Sequence, residues 1–111
     1  ISKGSFTILE PGMITSNEPG FYLTNKYGIR IENLMLVKTI KNNNNLKMLA
    51  FETLTLAPID FNLINYNLLT KEEISWINKY HSKVFQKLSS KLENKNRDWL
   101  KKVCKPYKIK N

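Results

Sequence analysis

The stretch Ser16–Asn33, S-N-E-P-G-F-Y-L-T-N-K-Y-G-I-R-I-E-N, decides how the rest of the chain is read. It carries two carboxylates in unusual settings. Glu18 precedes Pro19-Gly20, and a following proline biases it toward extended backbone. Glu32 interrupts the apolar run from Ile29 to Val37, where a lone charge is out of place.

Working outward, Ile1 to Leu9 reads as irregular, with Gly4 and Ser5 as breakers. Leu9-Glu10-Pro11-Gly12 reads as a turn, because proline presets φ and glycine tolerates positive φ. Met13 to Asn17 reads as a short strand and Phe21 to Tyr27 as a loop with three aromatics. Gly28 opens the strongest strand, Gly28 to Ile40. Its period of two puts Arg30, Glu32 and Leu34 on one face and Ile29, Ile31 and Asn33 on the other. A polar loop over Lys41 and Asn42–Asn45 leads to another strand, Leu46 to Pro58, and the two strands form an antiparallel hairpin. Glu52 in that strand reads as a supporting acid.

The second half changes period. Asp60 to Leu69 connects, with Phe61, Leu63, Ile64, Leu68 and Leu69 as apolar anchors. T-K-E-E at Thr70–Glu73 is a capping box that starts a helix. Ile74, Ile77, His81, Val84, Phe85, Leu88 and Leu92 form one apolar stripe along it. A second helix over Lys95–Lys105 turns Trp99, Leu100 and Val103 inward and stops at Pro106. Tyr107 to Asn111 reads as a loose tail. The fold class is therefore α+β, an antiparallel sheet segment followed by helices.

With 111 residues the chain is the size of one domain, and it contains no apolar run long enough to span a membrane. It opens on Ile1 with no signal-peptide pattern, and it reads as a piece of something longer. The single cysteine, Cys104, excludes an internal disulfide and suits a reducing compartment, so a cytoplasmic location is expected. The net charge of +9 is uneven: residues 1–69 hold six basic and five acidic side chains, and residues 70–111 hold twelve and four. Such a tail suits either an anionic partner or a solvated helix face. Lys79, Lys83, Lys87 and Lys91 recur every fourth residue, the pattern of a wet face, so nucleic acid is not the expected partner.

Few residues carry chemistry. His81, the sole histidine, lies on the apolar stripe and reads as a packed helix residue. Cys104 reads as inert, although the neighbouring lysines would favour its thiolate. There is no glycine-rich phosphate loop. Glu18 and Glu32 remain, as ligands of a metal ion, as an acid/base pair, or as members of structural ion pairs.

S-N-E-P-G-F-Y followed by G-I-R-I-E-N, its glutamate fourteen residues after the first, resembles the C-terminal part of the Xaa-Pro aminopeptidases, dinuclear metallopeptidases of the pita-bread fold. L-E-P-G-M-I-T, F-E-T-L-T-L-A-P-I-D, L-L-T-K-E-E-I-S-W-I-N-K-Y-H and a later W-L extend the likeness over nearly the whole chain. The resemblance implies residues 1–60 as the end of the catalytic domain and residues 61–111 as a helical C-terminal extension. It implies two divalent metal ions, manganese above all, with Glu18 binding one ion and Glu32 bridging both. Tyr22 and Arg30 map to a hydrogen-bond network beside the metals and are the catalytic candidates. The implied reaction is metal-assisted hydrolysis of the bond before a proline at position two. The two aspartates and the histidine that complete the family's ligand set do not occur in this chain at matching motifs. The chain alone is therefore expected to be inactive, and to form a homodimer or associate with the part that carries those ligands. A non-catalytic, peptidase-like interaction module is the rival expectation.

Overall fold

A computed structural model describes residues 7–41 and 46–108. Gly4, Ser5, the Asn42–Asn45 loop and the last three residues of the tail lie outside the described residues. The chain divides into two compact units, Ile1–Thr55 and Leu56–Asn111. The class is α+β: antiparallel strands, then helices.

The first unit contains β1 (Ile14–Asn17), β2 (Gly20–Leu23), β3 (Tyr27–Arg30), β4 (Asn33–Lys41) and β5 (Lys47–Thr53). Strands β1, β4 and β5 form one sheet in that order, with β4 central, and β2 and β3 form a second, two-stranded ribbon. The entry turn is as expected. Gly12 has φ of 92°, and the Met13 N–H donates to the Glu10 carbonyl at 3.1 Å, which is type II geometry with Pro11 leading. This turn ties onto β4 at Val37, which donates to the Met13 carbonyl and accepts from the Gly12 N–H, both at 2.9 Å.

Three expectations about the strands need correction here. Residues 21–27 are not a loop: they hold β2, a Thr24–Lys26 turn and the first residue of β3. The turn works because Asn25 adopts φ of 57°, a left-handed conformation that asparagine tolerates better than most residues. Each arm is only four residues long, too short for a clear alternation in the sequence. Nor is Gly28–Ile40 one strand. It breaks at Ile31-Glu32, and its two parts pair into different sheets. The break lies across from Pro19, which has no N–H to give to a ladder. The last strand is also shorter than expected, Lys47–Thr53, and pairs antiparallel with β4 as the hairpin reading required.

The second unit contains two 3-10 turns, Phe61–Leu63 and Tyr66–Leu68, then α1 (Lys71–Leu88) and α2 (Asn94–Val103). The capping box is present at both ends: the Thr70 hydroxyl accepts from the Glu73 N–H at 3.2 Å, and Glu73 accepts from the Thr70 N–H at 2.8 Å. α1 buries Ile74, Ile77, Tyr80, His81 and Val84, a stripe one helical face wide. It ends at Leu88 rather than Leu92, and a 3-10 turn over Ser89–Lys91 leads to α2.

Tyr80, Val84, Leu100 and Cys104 form the core, with Leu56, Ile59, Phe85, Leu88, Leu92 and Val103 packed around them. Burying a side chain of this size contributes about 1.5–3 kcal/mol each. Leu100 faces inward as expected, but Trp99 is 56% exposed, because its neighbour Leu100 takes the inward position. Leu63 and Leu68 are exposed too, so they anchor nothing within their unit. The tail is not loose at its start. Asn78 holds the Tyr107 backbone with two hydrogen bonds, 3.0 Å to its carbonyl and 2.9 Å from its N–H. The Tyr107 ring stacks on Tyr66 at 3.6 Å.

Candidate metal centre

The pairing register assembles the site. Asn17 pairs with Asn33 and Gly20 pairs with Arg30. The same register carried across the gap sets Glu18 opposite Glu32 and Pro19 opposite Ile31. One bond survives in the gap, from the Ile31 N–H to the Pro19 carbonyl at 3.3 Å. The two glutamates, fourteen residues apart in sequence, therefore meet at one joint between the two sheets. Alternation along both arms puts Ser16, Glu18, Gly20 and Tyr22 on the same face as Gly28, Arg30 and Glu32.

Like charges directly opposite on paired strands repel. Arg30 answers this by standing between them. Its Nη1 donates to Glu18 Oε2 at 3.0 Å, and its Nη2 lies 3.5 Å from Glu32 Oε2. The other oxygen of Glu18, Oε1, accepts from the Ser16 hydroxyl at 2.7 Å. All three charged side chains remain nearly half exposed, so the cluster faces outward rather than into a core. At that exposure each ion pair contributes at most about 1 kcal/mol. The arrangement orients the carboxylates more than it stabilises the fold.

Tyr22 lies on the same face. Its ring crosses the ribbon over Gly28 and Gly20, with the hydroxyl at the Gly20 end, opposite Arg30. Thus Glu18, Glu32, Arg30 and Tyr22 share one face of one ribbon. Ser16, Gly20 and Gly28 escaped the sequence reading. Their signal was there: they lie at even spacing from Glu18 or Glu32, as same-face residues must once the two arms are recognised as paired strands.

The remaining acids and nucleophiles lie apart from this cluster. Glu52 is not buried; it forms an ion pair with Lys38, its diagonal neighbour across β4 and β5. His81 is fully buried in the second unit. Its Nε2 accepts from the Ile59 N–H at 2.9 Å, while Nδ1 finds no partner among the described residues. Burial holds its pKa below the ordinary imidazole range. It is a packed helix histidine. Burial pushes the Cys104 thiol up, so desolvation outweighs the neighbouring lysines, in keeping with the reading of Cys104 as inert. Burial also raises Tyr80, against the opposing hydrogen bond that its oxygen accepts from the Ala57 N–H at 3.4 Å.

The donor chemistry of the ribbon suits hard divalent cations, which take carboxylate oxygens. Glu18 and Glu32 supply two such donors at one place, and no third His, Cys, Asp or Glu joins them among the described residues.

Comparison with known proteins shows the family of the chain. The profile described as the metallopeptidase family M24 matches residues 1–39, and the C-terminal region of peptidase_M24 matches residues 47–107. A probable Xaa-Pro aminopeptidase P of Coprinopsis cinerea is 47% identical, over 90% of this chain and 17% of its own length. Protein pid-5 of Caenorhabditis elegans is 45% identical, over 92% of this chain and 10% of its own. The crystal structure of X-prolyl aminopeptidase from C. elegans, a cytosolic enzyme with a di-nuclear active site, superposes with a TM-score of 0.76 at 36% identity. That superposition covers 89% of this chain and 17% of the enzyme. The chain thus spans about a sixth or less of the length of these relatives. Its strands and helices correspond to the C-terminal portion of a pita-bread fold, and the chain belongs to the metallopeptidase family M24.

Proposed function

We propose that this chain supplies two carboxylate ligands, with Tyr22 and Arg30 beside them, to a dinuclear aminopeptidase that removes the N-terminal residue from peptides with proline at position two. The observation that carries this reading is the meeting of Glu18 and Glu32 across one ribbon joint, in a chain of a metallopeptidase family. Glu18 and Glu32 would hold the two ions through their carboxylate oxygens, Glu18 serving one ion and Glu32 shared between both. Manganese suits an oxygen-rich set best. The chemistry such ions supply is Lewis-acid polarisation of a peptide carbonyl and a strong oxygen nucleophile at neutral pH.

The residues of the chain do the positioning. Ser16 and Arg30 each hold one oxygen of Glu18, which fixes its plane. Arg30 keeps the two carboxylates together against their repulsion. The Tyr22 hydroxyl lies at the end of the ring nearest Arg30's partner Gly20, and in this reading it would donate toward an oxygen of a bound peptide. In this reading residues 1–60 close a catalytic domain and residues 61–111 form its helical extension. Two carboxylates leave a dinuclear centre incomplete, so the 111 residues alone do not turn over. They work by association with the rest of such a domain, or within a homodimer, in the cytoplasm. Exposed Phe21, Leu23, Tyr27, Ile29 and Ile31 on the back of the ribbon suit such an association.

The test uses two samples, each supplied with manganese and an Xaa-Pro peptide. The 111-residue chain is expected to show no turnover. A protein joining it to the remainder of an M24 catalytic domain is expected to turn over, and Glu18→Gln and Glu32→Gln each to abolish this. Turnover by the short chain, or variants that keep full activity in the long one, would overturn the reading. A second reading, a peptidase-like interaction module, draws on the lack of a third ligand beside the two glutamates among the described residues. It predicts a joined protein that stays inactive with manganese, cobalt or zinc.

A further inference from the structure

Gly20 and Gly28 lie on the ribbon face that carries the two carboxylates, and their backbones do not require glycine. Among the described glycines, positive φ belongs to Gly12. Glycine in a strand loses more chain entropy on folding than alanine does and packs nothing. Some other reason must keep a side chain off both positions.

That reason is the Tyr22 ring. A Cβ at Gly28 would stand 2.6 Å from Tyr22 Cδ1 and 3.0 Å from Cε1. A Cβ at Gly20 would stand 2.7 Å from the Tyr22 hydroxyl oxygen and 2.8 Å from Cε2. The ring lies flat across both strands, its root over Gly28 and its hydroxyl over Gly20. Gly28 is Tyr22's own cross-strand partner and Gly20 is Arg30's. The two glycines form a floor that delivers the hydroxyl to the ladder position of Arg30. Tyr22 is 65% exposed, so its ring faces solvent on the side away from the two glycines.

We propose that Gly20 and Gly28 are positioning residues for Tyr22: they clear the ribbon face so that its ring lies down and its hydroxyl is held beside the Arg30–carboxylate cluster. The proposal deepens the reading of Tyr22 as a site residue and rests on it. A single methyl at either position lifts the ring away from the ladder. Because the far side of the ring faces solvent, the added methyl displaces the tyrosine outward without unfolding the ribbon.

Proton NMR on the 111-residue chain reads the ring directly. Protons beneath an aromatic face move upfield, so the Hα signals of Gly20 and Gly28 are expected upfield of ordinary strand glycines. Tyr22→Ala should abolish both shifts. Gly28→Ala should abolish the Gly20 shift while the cross-strand contacts of the ribbon persist, and Gly20→Ala should do the reciprocal. An upfield Gly20 signal that survives Gly28→Ala overturns the proposal, as does an ordinary Gly20 signal in the unaltered chain.

The second arm is kinetic and uses the joined catalytic protein. Gly28→Ala should lower kcat by about tenfold to a hundredfold, the cost of misplacing a group by about an ångström. It should lower kcat no further when added to Tyr22→Ala. Additive losses would show that Gly28 acts on its own and overturn the positioning role. If the joined protein has no turnover at all, the aminopeptidase reading fails, and the ring-current shifts alone decide whether the glycines place Tyr22.

Discussion

The two units of this chain use their side chains in opposite ways. The helical unit builds a buried core: Ile74, Ile77, Tyr80, Val84, Leu100 and Cys104 are all buried, with His81 among them, while Leu63, Leu68, Trp76 and Trp99 stay outside it. In the strand unit Val37 is the one buried residue among those described, while Ile14, Phe21, Ile29, Ile31, Leu34, Met48 and Phe51 stay exposed. The charged groups divide likewise. In the helical unit, lysines lie around a closed core. In the strand unit, Glu18, Glu32 and Arg30 share one open face. The contrast teaches that the helical unit carries its own buried core, whereas the strand unit leaves its charged cluster and most of its apolar side chains open to solvent.

Mutations test this division most sharply where the core is tightest. Leu100→Ala should cost about 2–5 kcal/mol in urea unfolding, because it leaves a cavity in a site with 1% exposure. Ile29→Ala, which truncates a residue of similar size on the exposed ribbon, should cost less than about 1 kcal/mol. Equal losses at the two positions would end the comparison.

The next effect depends on pH. Folding holds the His81 imidazole below its ordinary value near 6.5, so just below that pH the unfolded chain binds the proton and the folded chain does not. The unfolded state then carries more bound protons, and stability rises with pH through this window. The stability contributed by neutral His81 is therefore complete above about pH 6.5 and declines as the solution is acidified below it. Unfolding midpoints measured from pH 7.5 down to 5 should fall, and His81→Gln should flatten that slope. A variant that keeps the full slope would assign it to other groups.

Thr70→Ala should cost about 1 kcal/mol by removing one half of the α1 capping box, as read by thermal unfolding. The smallest effect on stability belongs to the site. Arg30→Ala should change unfolding by no more than about 1 kcal/mol, since both of its ion pairs are nearly half exposed. In the joined catalytic protein, the same variant should lower the affinity for manganese by about tenfold to a hundredfold, the usual effect of losing a residue that orients a ligand. Large stability loss with unchanged manganese affinity would reverse the roles assigned to the two units.

Much of this was legible without coordinates, wherever the signal is local. The Pro11-Gly12 turn, the Thr70–Glu73 box and the helical stripe from Ile74 to Val84 depend on residues within a few positions of one another. The two glutamates were legible through their motifs. Trp99 was misread because an amphipathic pattern ten residues long leaves its orientation uncertain by one position, and Leu100 took the core. The β2–β3 ribbon was misread because four-residue arms show too little alternation. That miss hid Ser16, Gly20 and Gly28, whose importance depends on which residue stands across the ladder.

By itself the sequence determined the fold class, strands first and helices after them, the family likeness, and the candidates Glu18, Tyr22, Arg30 and Glu32. Periodicity, caps and turn residues act over one or two turns of chain, and a linear string records them in full. Only the tertiary structure decided that Glu18 stands across from Glu32, that one guanidinium spans both, and that a tyrosine ring lies over two glycines. Those facts follow from strand register, which a one-residue slip would invert by turning every side chain to the opposite face.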